Sequence, residues 1–345
     1  MDLIYNLNIN EIEQLMITNN EKKYKAKQIF EWLYQKRVNN FKEMTNLNKK
    51  MIEYLDNHYL INILIEESKL ISQDGTIKYL FKLSDGNLIE TVLMKYDHGY
   101  SVCVSSQVGC NMGCLFCASG KLKKVRDLSS AEIVAQVMYL QKELDATQQR
   151  VHNVVIMGIG EPFDNYDNVI NFIKIINSPF GLALGARHIT LSTSGIIEGI
   201  KKFSELDLQV NLALSLHSAI DSKRSKIMPI NKKDHLELLK PVLLAYQKKT
   251  KRRLTFEYIL LKGFNDQDVD IVALKSFLKG LNAYINIIPF NDINDKNFIS
   301  IKRNDCYYFY QKLKDNGINA TIRKDFGNDI AAACGQLRAQ REVKL

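Results

Sequence analysis

No uninterrupted apolar run in this 345-residue chain approaches the roughly 18 residues that cross a membrane as a helix. Met1 to Asn20 also lacks the basic-then-apolar pattern of a secretory leader, so a cytoplasmic protein without membrane segments is expected. The chain carries no internal repeat and no low-complexity segment, which excludes solenoid arrays and long disordered tails. Cysteine is scarce, with six in all, and three of them share one short loop. That usage excludes a disulfide framework and points to metal or redox chemistry in a reducing compartment. Most zinc frameworks pair two short Cys-Cys spacings or add a His pair, and neither pattern occurs.

What the chain does have is enough apolar material for a real core: 46% hydrophobic and 25% charged residues, an ordinary globular balance. The length suits a barrel-sized catalytic unit with a smaller module. The formal net charge is +9, and the excess is clustered at Lys22 to Lys27, Lys121 to Arg126 and Lys248 to Arg253. Such clusters in one basic chain fit a polyanionic partner, with RNA the leading candidate.

From Asn10 to about His58 the pattern is helical, over Glu11–Met16 and Ala26–Arg37. Ile71 to Lys95 reads as a β-hairpin turning at Ser84–Asn87 and joining two parts of the chain. From Gly99 strand-like and helix-like segments alternate, which indicates parallel βα units. The expected strands are Tyr100–Val104, Asn153–Met157, His188–Leu191, Gln209–Leu214, Leu254–Leu260, Ala283–Ile288 and Asn319–Arg323. The expected helices are Ser129–Leu144, opened by a Ser-x-x-Glu capping box, then Tyr166–Ile176, Ile196–Ser204, His235–Gln247, Asp268–Leu278 and Asp305–Asp315. The organisation expected is a helical RNA-docking module over 1–60, a hairpin linker over 61–98 and a barrel over 99–345.

The unusual polar motifs fall where strands end. Cys110-x-x-x-Cys114-x-x-Cys117 follows the first barrel strand, Gly158-Ile-Gly160-Glu161 the second, Ser192-Thr-Ser194-Gly195 the third, Ser215-Leu216-His217 the fourth and Pro289-Phe-Asn291 the sixth. In a βα barrel these loops share one mouth, so a common ligand is expected there. Three thiolates are one short of the four that close an iron-sulfur cube, leaving one iron open for another ligand. The alternatives are buried free thiols or a zinc site completed by His98 or His152. Cys103 ends the first barrel strand and Cys334 follows the last, so both can reach the mouth. Cys306, on an aromatic-rich helix, reads as core. Glu90 sits in an alternating strand before the barrel.

The cysteine loop, with Phe116 before its last cysteine, resembles the signature of the radical S-adenosylmethionine (SAM) superfamily. Together with Ile89-Glu90-Thr-Val, Met157 to Pro162, Leu191 to Gly195, Arg224-Ser-Lys-Ile-Met-Pro-Ile-Asn231 and Ala333-Cys334-Gly-Gln-Leu337, it resembles the radical SAM adenine-C2 methyltransferases of 23S rRNA over nearly the whole chain. That resemblance implies an α/β fold, a partial (β/α)6 barrel. It implies one 4Fe-4S cluster held by Cys110, Cys114, Cys117 and SAM. It assigns SAM contacts to Gly160, Glu161, Ser192, Ser215, Leu216, His217 and Asn291, the methyl-carrying role to Cys334, adduct resolution through a disulfide with Cys334 to Cys103, and proton transfer to Glu90. Implied partners are protein-free 23S rRNA, an anticodon-loop adenosine of tRNA and a flavodoxin-type electron donor, with the protein a monomer. Two alternatives accompany this reading: methylation of carbon 8 by the resistance-type relatives, and a non-catalytic iron-sulfur protein that binds RNA. Ala331 departs from the acidic residue that the family commonly carries there, and the segment Ser119–Lys124 is shorter than in many members.

Overall fold

A computed structural model describes residues 1–61, 63–291, 298–299 and 301–339. Three helices open the chain: α1 (Ile9–Thr18), α2 (Lys25–Phe30) and α3 (Lys49–His58). Asn8 caps α1 in a reciprocal box with Glu11, which satisfies two of the amide donors left free at a helix start. The helix expected over Ala26–Arg37 stops being α-helical at Phe30 and continues as a π-turn over Glu31–Gln35.

One ten-stranded sheet carries the rest. Its strands are β1 (Ile65–Ile71), β2 (Ile77–Lys82), β3 (Leu88–Tyr96), β4 (Gly99–Val104), β5 (Val151–Ile156), β6 (Ile189–Thr193), β7 (Asn211–Ser215), β8 (Leu254–Leu260), β9 (Ala283–Pro289) and β10 (Ala320–Ile322). They lie side by side in chain order. Strands β4 to β10 are parallel and are joined through helices α4 (Ser130–Asp145), α5 (Tyr166–Asn177), α6 (Ile197–Ser204), α7 (Asp221–Ile227), α8 (Leu236–Thr250), α9 (Asp268–Leu278) and α10 (Arg303–Asp315). The barrel strands and helices that were expected stand within a few residues of their expected bounds, and α7 is an additional helix.

The expected hairpin forms, with Ile77–Lys82 paired to Leu88–Leu93 around the Ser84–Asn87 turn, but it is not a separate linker. Strands β1, β2 and β3 are antiparallel and extend the barrel sheet itself, with β3 paired to β4 through Val92 and Cys103. The edge of β4 would otherwise expose unpaired backbone groups, and these strands cover it. The amino-terminal module is likewise seated directly on the barrel. Ala131 N–H donates to Asn6 Oδ1 at 2.8 Å, Asn8 Nδ2 to Asn171 Oδ1 at 2.9 Å, and Arg37 bridges to Asp145. Ile12, Phe30, Leu33 and Tyr34 merge with barrel residues in one hydrophobic core.

Strand periodicity positions the site. On β6, β7, β8 and β9 the residues Leu191, Leu212, Leu214, Phe256, Tyr258, Ile285 and Ile287 pack toward the helices. The alternate residues Ser192, Ser215, Glu257 and Ile288 line the inner cavities. Each buried Leu, Ile or Phe contributes about 1.5–3 kcal/mol, so the apolar face fixes register, and register aims the polar face inward.

Candidate active site

The cysteine loop leaves β4 and is closed by pairing of Gln107–Val108 with Arg126–Asp127. Within it Cys110 N–H donates to Leu122 O at 3.1 Å, and Cys117 N–H to Cys114 O at 3.2 Å. Leu115 N–H ties it to Ile227 O at 3.0 Å, and Ala118 N–H to Gly335 O at 2.7 Å, so the loop is braced against both α7 and the Cys334 segment. Gly120 is required here, because a Cβ would stand 2.5 Å from Cys114 O.

Cys110, Cys114 and Cys117 line one wall of a cavity of about 820 Å3, counted with the solvent-open space at its mouth. Burial raises the Cys110 thiol to about 12 and lifts Cys114 well above the ordinary thiol range. Filling such a site must therefore release protons, as metal centres on thiolates do. No three His, Cys, Asp or Glu side chains among the described residues form a set for a single ion. The zinc reading also loses both histidines offered as its fourth ligand. His152 Nδ1 instead accepts from Tyr100 N–H at 3.2 Å, and His98 sits on the Tyr96 ring at 5.0 Å. Three thiols facing one roomy cavity suit the corners of a larger iron-sulfur group, which is the fit the 4Fe-4S reading requires.

The opposite wall is built from the strand ends. Gly160 has φ +114, and a Cβ there would stand 2.7 Å from Ser106 Oγ and Gln107 Cβ, so only glycine brings this backbone to the cavity. Glu161 is buried, and its carboxylate accepts from Thr193 Oγ1 and Ser194 N–H, both at 2.7 Å, and from Phe163 N–H at 3.0 Å. Burial raises its pKa, and these donors oppose the rise. Gly160, Glu161, Ser192, Ser215 and His217 all line this cavity. Leu216 does not: its side chain is buried in the core.

His217 holds a left-handed backbone at φ +55, an uncommon state for a non-glycine residue and one that clusters at functional sites. Asn265 Nδ2 braces its carbonyl at 2.7 Å, and Ile259 N–H donates to its Nδ1 at 3.0 Å. Burial, aided by the Arg224 charge, lowers the His217 pKa to about 3, so the ring is neutral. With Nδ1 accepting, Nε2 carries the proton and is the ring's free donor.

Sequence reasoning quoted Arg224 only inside a motif, yet it organises this wall. The guanidinium is fully buried and donates to Leu216 O at 3.1 Å, Ser215 O at 3.0 Å, Ser194 O at 2.6 Å and Asn231 Oδ1 at 2.6 Å. Burial lowers its pKa to about 10, and Cys114, Asp221 and Asp234 oppose that shift, so it remains charged. It fixes the β6 and β7 loops against each other.

A second cavity of about 600 Å3 adjoins the first, lined by Cys103, Val92, Met94 and Phe326. Cys334, Cys117, Met157 and Arg323 line both cavities. Cys334 therefore stands on the wall between the cluster cysteines and Cys103. Cys103 and Cys334 are free thiols in this structure, so the disulfide between them is not formed. Burial raises Cys103 to about 12. Cys334 is also raised by burial, not depressed, while the Arg323 guanidinium pulls it back down. Arg323, which the sequence reading did not single out, is in turn paired with the buried Glu257 at 3.6 Å.

Asn291 belongs to this second cavity, with Nδ2 3.5 Å from Cys334 O. Glu90 lines neither cavity. Its buried carboxylate accepts from Arg338 N–H at 2.7 Å and Ala339 N–H at 3.0 Å, and Lys78 lies 3.5 Å away. It thus anchors the segment that follows Cys334. Cys306 is fully buried in the core, as expected.

Comparison with known proteins places these features. Residues 104–274 match the model of the radical SAM superfamily, and residues 2–61 match the model described as the ribosomal RNA large subunit methyltransferase N-terminal domain. The chain is 51% identical to the "probable dual-specificity RNA methyltransferase RlmN" of Staphylococcus aureus strain JH9 over 99% of this chain and 94% of that protein, with the same figures for strain NCTC 8325. The crystal structure of a radical SAM methyltransferase from Sphaerobacter thermophilus superposes with a TM-score of 0.93 at 38% identity, covering 99% of this chain and all of that one.

Proposed function

Since this chain belongs to the RlmN-type radical SAM RNA methyltransferases, with a 4Fe-4S cluster and SAM as cofactors, we propose that it methylates carbon 2 of an adenosine in 23S rRNA, and of a tRNA anticodon-loop adenosine, through a methyl group carried on Cys334. The observation that carries this reading is the position of Cys334, shared by the cavity of the cluster cysteines and that of Cys103. Of the residues common to both cavities, Cys334 is the nucleophile outside the cluster loop.

The chemical need is plain. Carbon 2 of adenine lies between two ring nitrogens and is electron-poor, and the methyl group of SAM is itself an electrophile, so direct transfer is unfavourable. The Cys334 thiolate takes the methyl from one SAM by displacement, and the nearby Arg323 charge favours that thiolate against the cost of burial. When bound, the cluster and a second SAM supply the 5'-deoxyadenosyl radical that activates the carried methyl. Cys110, Cys114 and Cys117 hold the cluster, while Gly160, Glu161, Ser192, Ser215 and His217 hold SAM. Arg224 keeps the β6 and β7 loops in register for it. Asn291 steadies the Cys334 backbone. After the methyl carbon has joined the base, the adduct would give its unpaired electron back to the oxidised cluster and its C2 proton to Glu90, which lines neither cavity, by relay. The Cys103 thiolate then attacks Cys334 Sγ, the sulfur–carbon bond breaks with its electron pair on carbon, that carbon takes a proton as methyl, and the two cysteines remain as a disulfide. Gly160-Glu161-Pro162-Phe-Asp-Asn-Tyr166 resembles the C2 enzymes and favours carbon 2 over carbon 8. A flavodoxin-type protein supplies the electron, and the enzyme acts as a monomer on protein-free RNA through its amino-terminal module.

Exchange of single cysteines tests this. Cys334→Ala should abolish methylation while cluster content and RNA binding persist, and Cys103→Ala should accumulate protein covalently joined to RNA. Methylation by Cys334→Ala would overturn the carried-methyl route.

A further inference from the structure

The three basic clusters differ once folded. In the first, Lys23 is paired with Glu13 at 2.9 Å and Lys25 with Glu21 at 2.5 Å, which leaves Lys22 and Lys27, the latter over the Phe180 ring at 4.5 Å, without a carboxylate partner among the described residues. In the second, Lys124 bridges to Asp127 and Asp164, and Arg126 to Asp85 and Glu132. The third keeps its charge. Apart from Lys249, which pairs with Glu205, its cations have no carboxylate partner among the described residues. Arg252 bonds the neutral Asn211, Arg253 lies over the Tyr284 ring at 4.8 Å, and Lys251 is exposed.

These side chains rim a third cavity, about 1280 Å3 with its open mouth, inside the half barrel toward the amino-terminal ends of β6, β7 and β8. Lys324 joins them across the opening, stacked on Phe326 at 5.2 Å. Apart from the paired Glu257 and Arg323, the walls between are uncharged, with Thr190, Asn211 and Thr255 beside apolar Val155 and Met157. The acidic side chain lining it, Glu257, is 4% exposed and already bonded by Asn286 at 2.9 Å and paired with Arg323. Met157 and Arg323 are common to this cavity and the two that hold Cys334. From Leu254 to Glu257 the chain is a strand, so the cavity wall runs about 10 Å from just inside its rim toward the cavities that hold Cys334.

We infer that this third cavity is the track for the single RNA strand flanking the target adenosine, its phosphates met by Lys251, Arg253 and Lys324 while the base enters the Cys103 cavity next door. The inference rests on the methyltransferase reading for the entry of the base. Uncompensated cations along a concave, neutral wall suit a phosphate chain, and the cavity is too confined for a duplex, which is recognised across an open groove.

The test is binding of the reconstituted holoenzyme to a fluorescent, protein-free rRNA fragment carrying the target adenosine, by anisotropy over a salt series. For K251Q/R253Q/K324Q the slope of log K against log salt should flatten by about 2, from about 0.7 per phosphate contact on a single strand, with a loss of about 10- to 100-fold in affinity at low salt. The paired lysines provide the comparison: K23Q/K25Q should have a smaller effect. Unfolding temperature checks that the triple variant, altered at exposed positions, remains folded, and restoring lysine at Arg253 should recover part of the slope. Wild-type slope and affinity in the folded triple variant would overturn the inference. So would a variant defective only in binding inorganic pyrophosphate, or only in reduction by an acidic flavodoxin. Failure of the wild-type enzyme to bind the fragment would instead defeat the methyltransferase reading itself.

Discussion

Arg224→Ala is the most informative single perturbation of the SAM wall. The fully buried guanidinium makes four donated bonds of 2.6–3.1 Å, three of them to backbone carbonyls at the ends of β6 and β7. A bond from a charged donor contributes roughly 1.5–3 kcal/mol, but the buried cation carries its own desolvation cost, and removal of such a group typically destabilises by about 3–5 kcal/mol. Unfolding entropy near 2.1 cal/mol/K per residue gives about 0.7 kcal/mol/K for this length, so the unfolding temperature should fall by about 4–7 °C. Calorimetry of the metal-free protein measures that fall without reference to activity. SAM affinity of the reconstituted protein should drop with it, because Ser192 and Ser215 lie on the strand ends that Arg224 ties together. Arg224→Lys keeps the charge but cannot reach four acceptors from one ammonium, so it should recover only part of both losses. An unfolding temperature within 1 °C of wild type together with unchanged SAM affinity would refute the clamp.

Three further outcomes follow from the same geometry. Because His217 is held at a pKa of about 3, below the ordinary 6.5, the unfolded chain binds a proton that the folded one refuses. Its contribution is intact above about pH 6.5 and is lost as pH falls toward 3, at about 1.4 kcal/mol per pH unit below 6; His217→Asn should flatten the denaturation profile across that window. Glu90→Gln weakens the anchor on Arg338 and Ala339, so amide exchange there should quicken while cluster content is unchanged. In the metal-free protein, alkylation of Cys110 and Cys114 should need a higher pH than that of an ordinary thiol, and rates already half-maximal at about pH 8.5 would contradict the burial of these two groups.

Most of the barrel was legible in the sequence because alternation of apolar and polar residues fixes both the strand and its face. Leu254–Leu260 and Asp268–Leu278 stand at their expected ends. The strand Ile65–Ile71 was not legible: its centre, Glu66-Glu67-Ser68-Lys69, is polar and largely exposed at a sheet edge, and shows no buried alternation. Motif residues at strand ends could be placed at one mouth from order alone. Their division between two cavities could not, since Asn291 and Cys334 meet only after the chain has closed around the lumen. Arg224, Arg323 and Glu257 were missed for a related reason. Single charged residues in sequence read as solvated, and only packing reveals which are buried against backbone carbonyls or thiols. The Glu161 carboxylate shows the reverse: its motif was visible, but the three internal donors that fix its orientation were not.

The central claim is the position methylated. The protein, purified without oxygen, reconstituted with iron and sulfide and incubated with SAM, a reductant and protein-free 23S rRNA, should yield 2-methyladenosine on nucleoside mass spectrometry. Formation of 8-methyladenosine, or of neither product with the cluster intact and the reductant active, would contradict it.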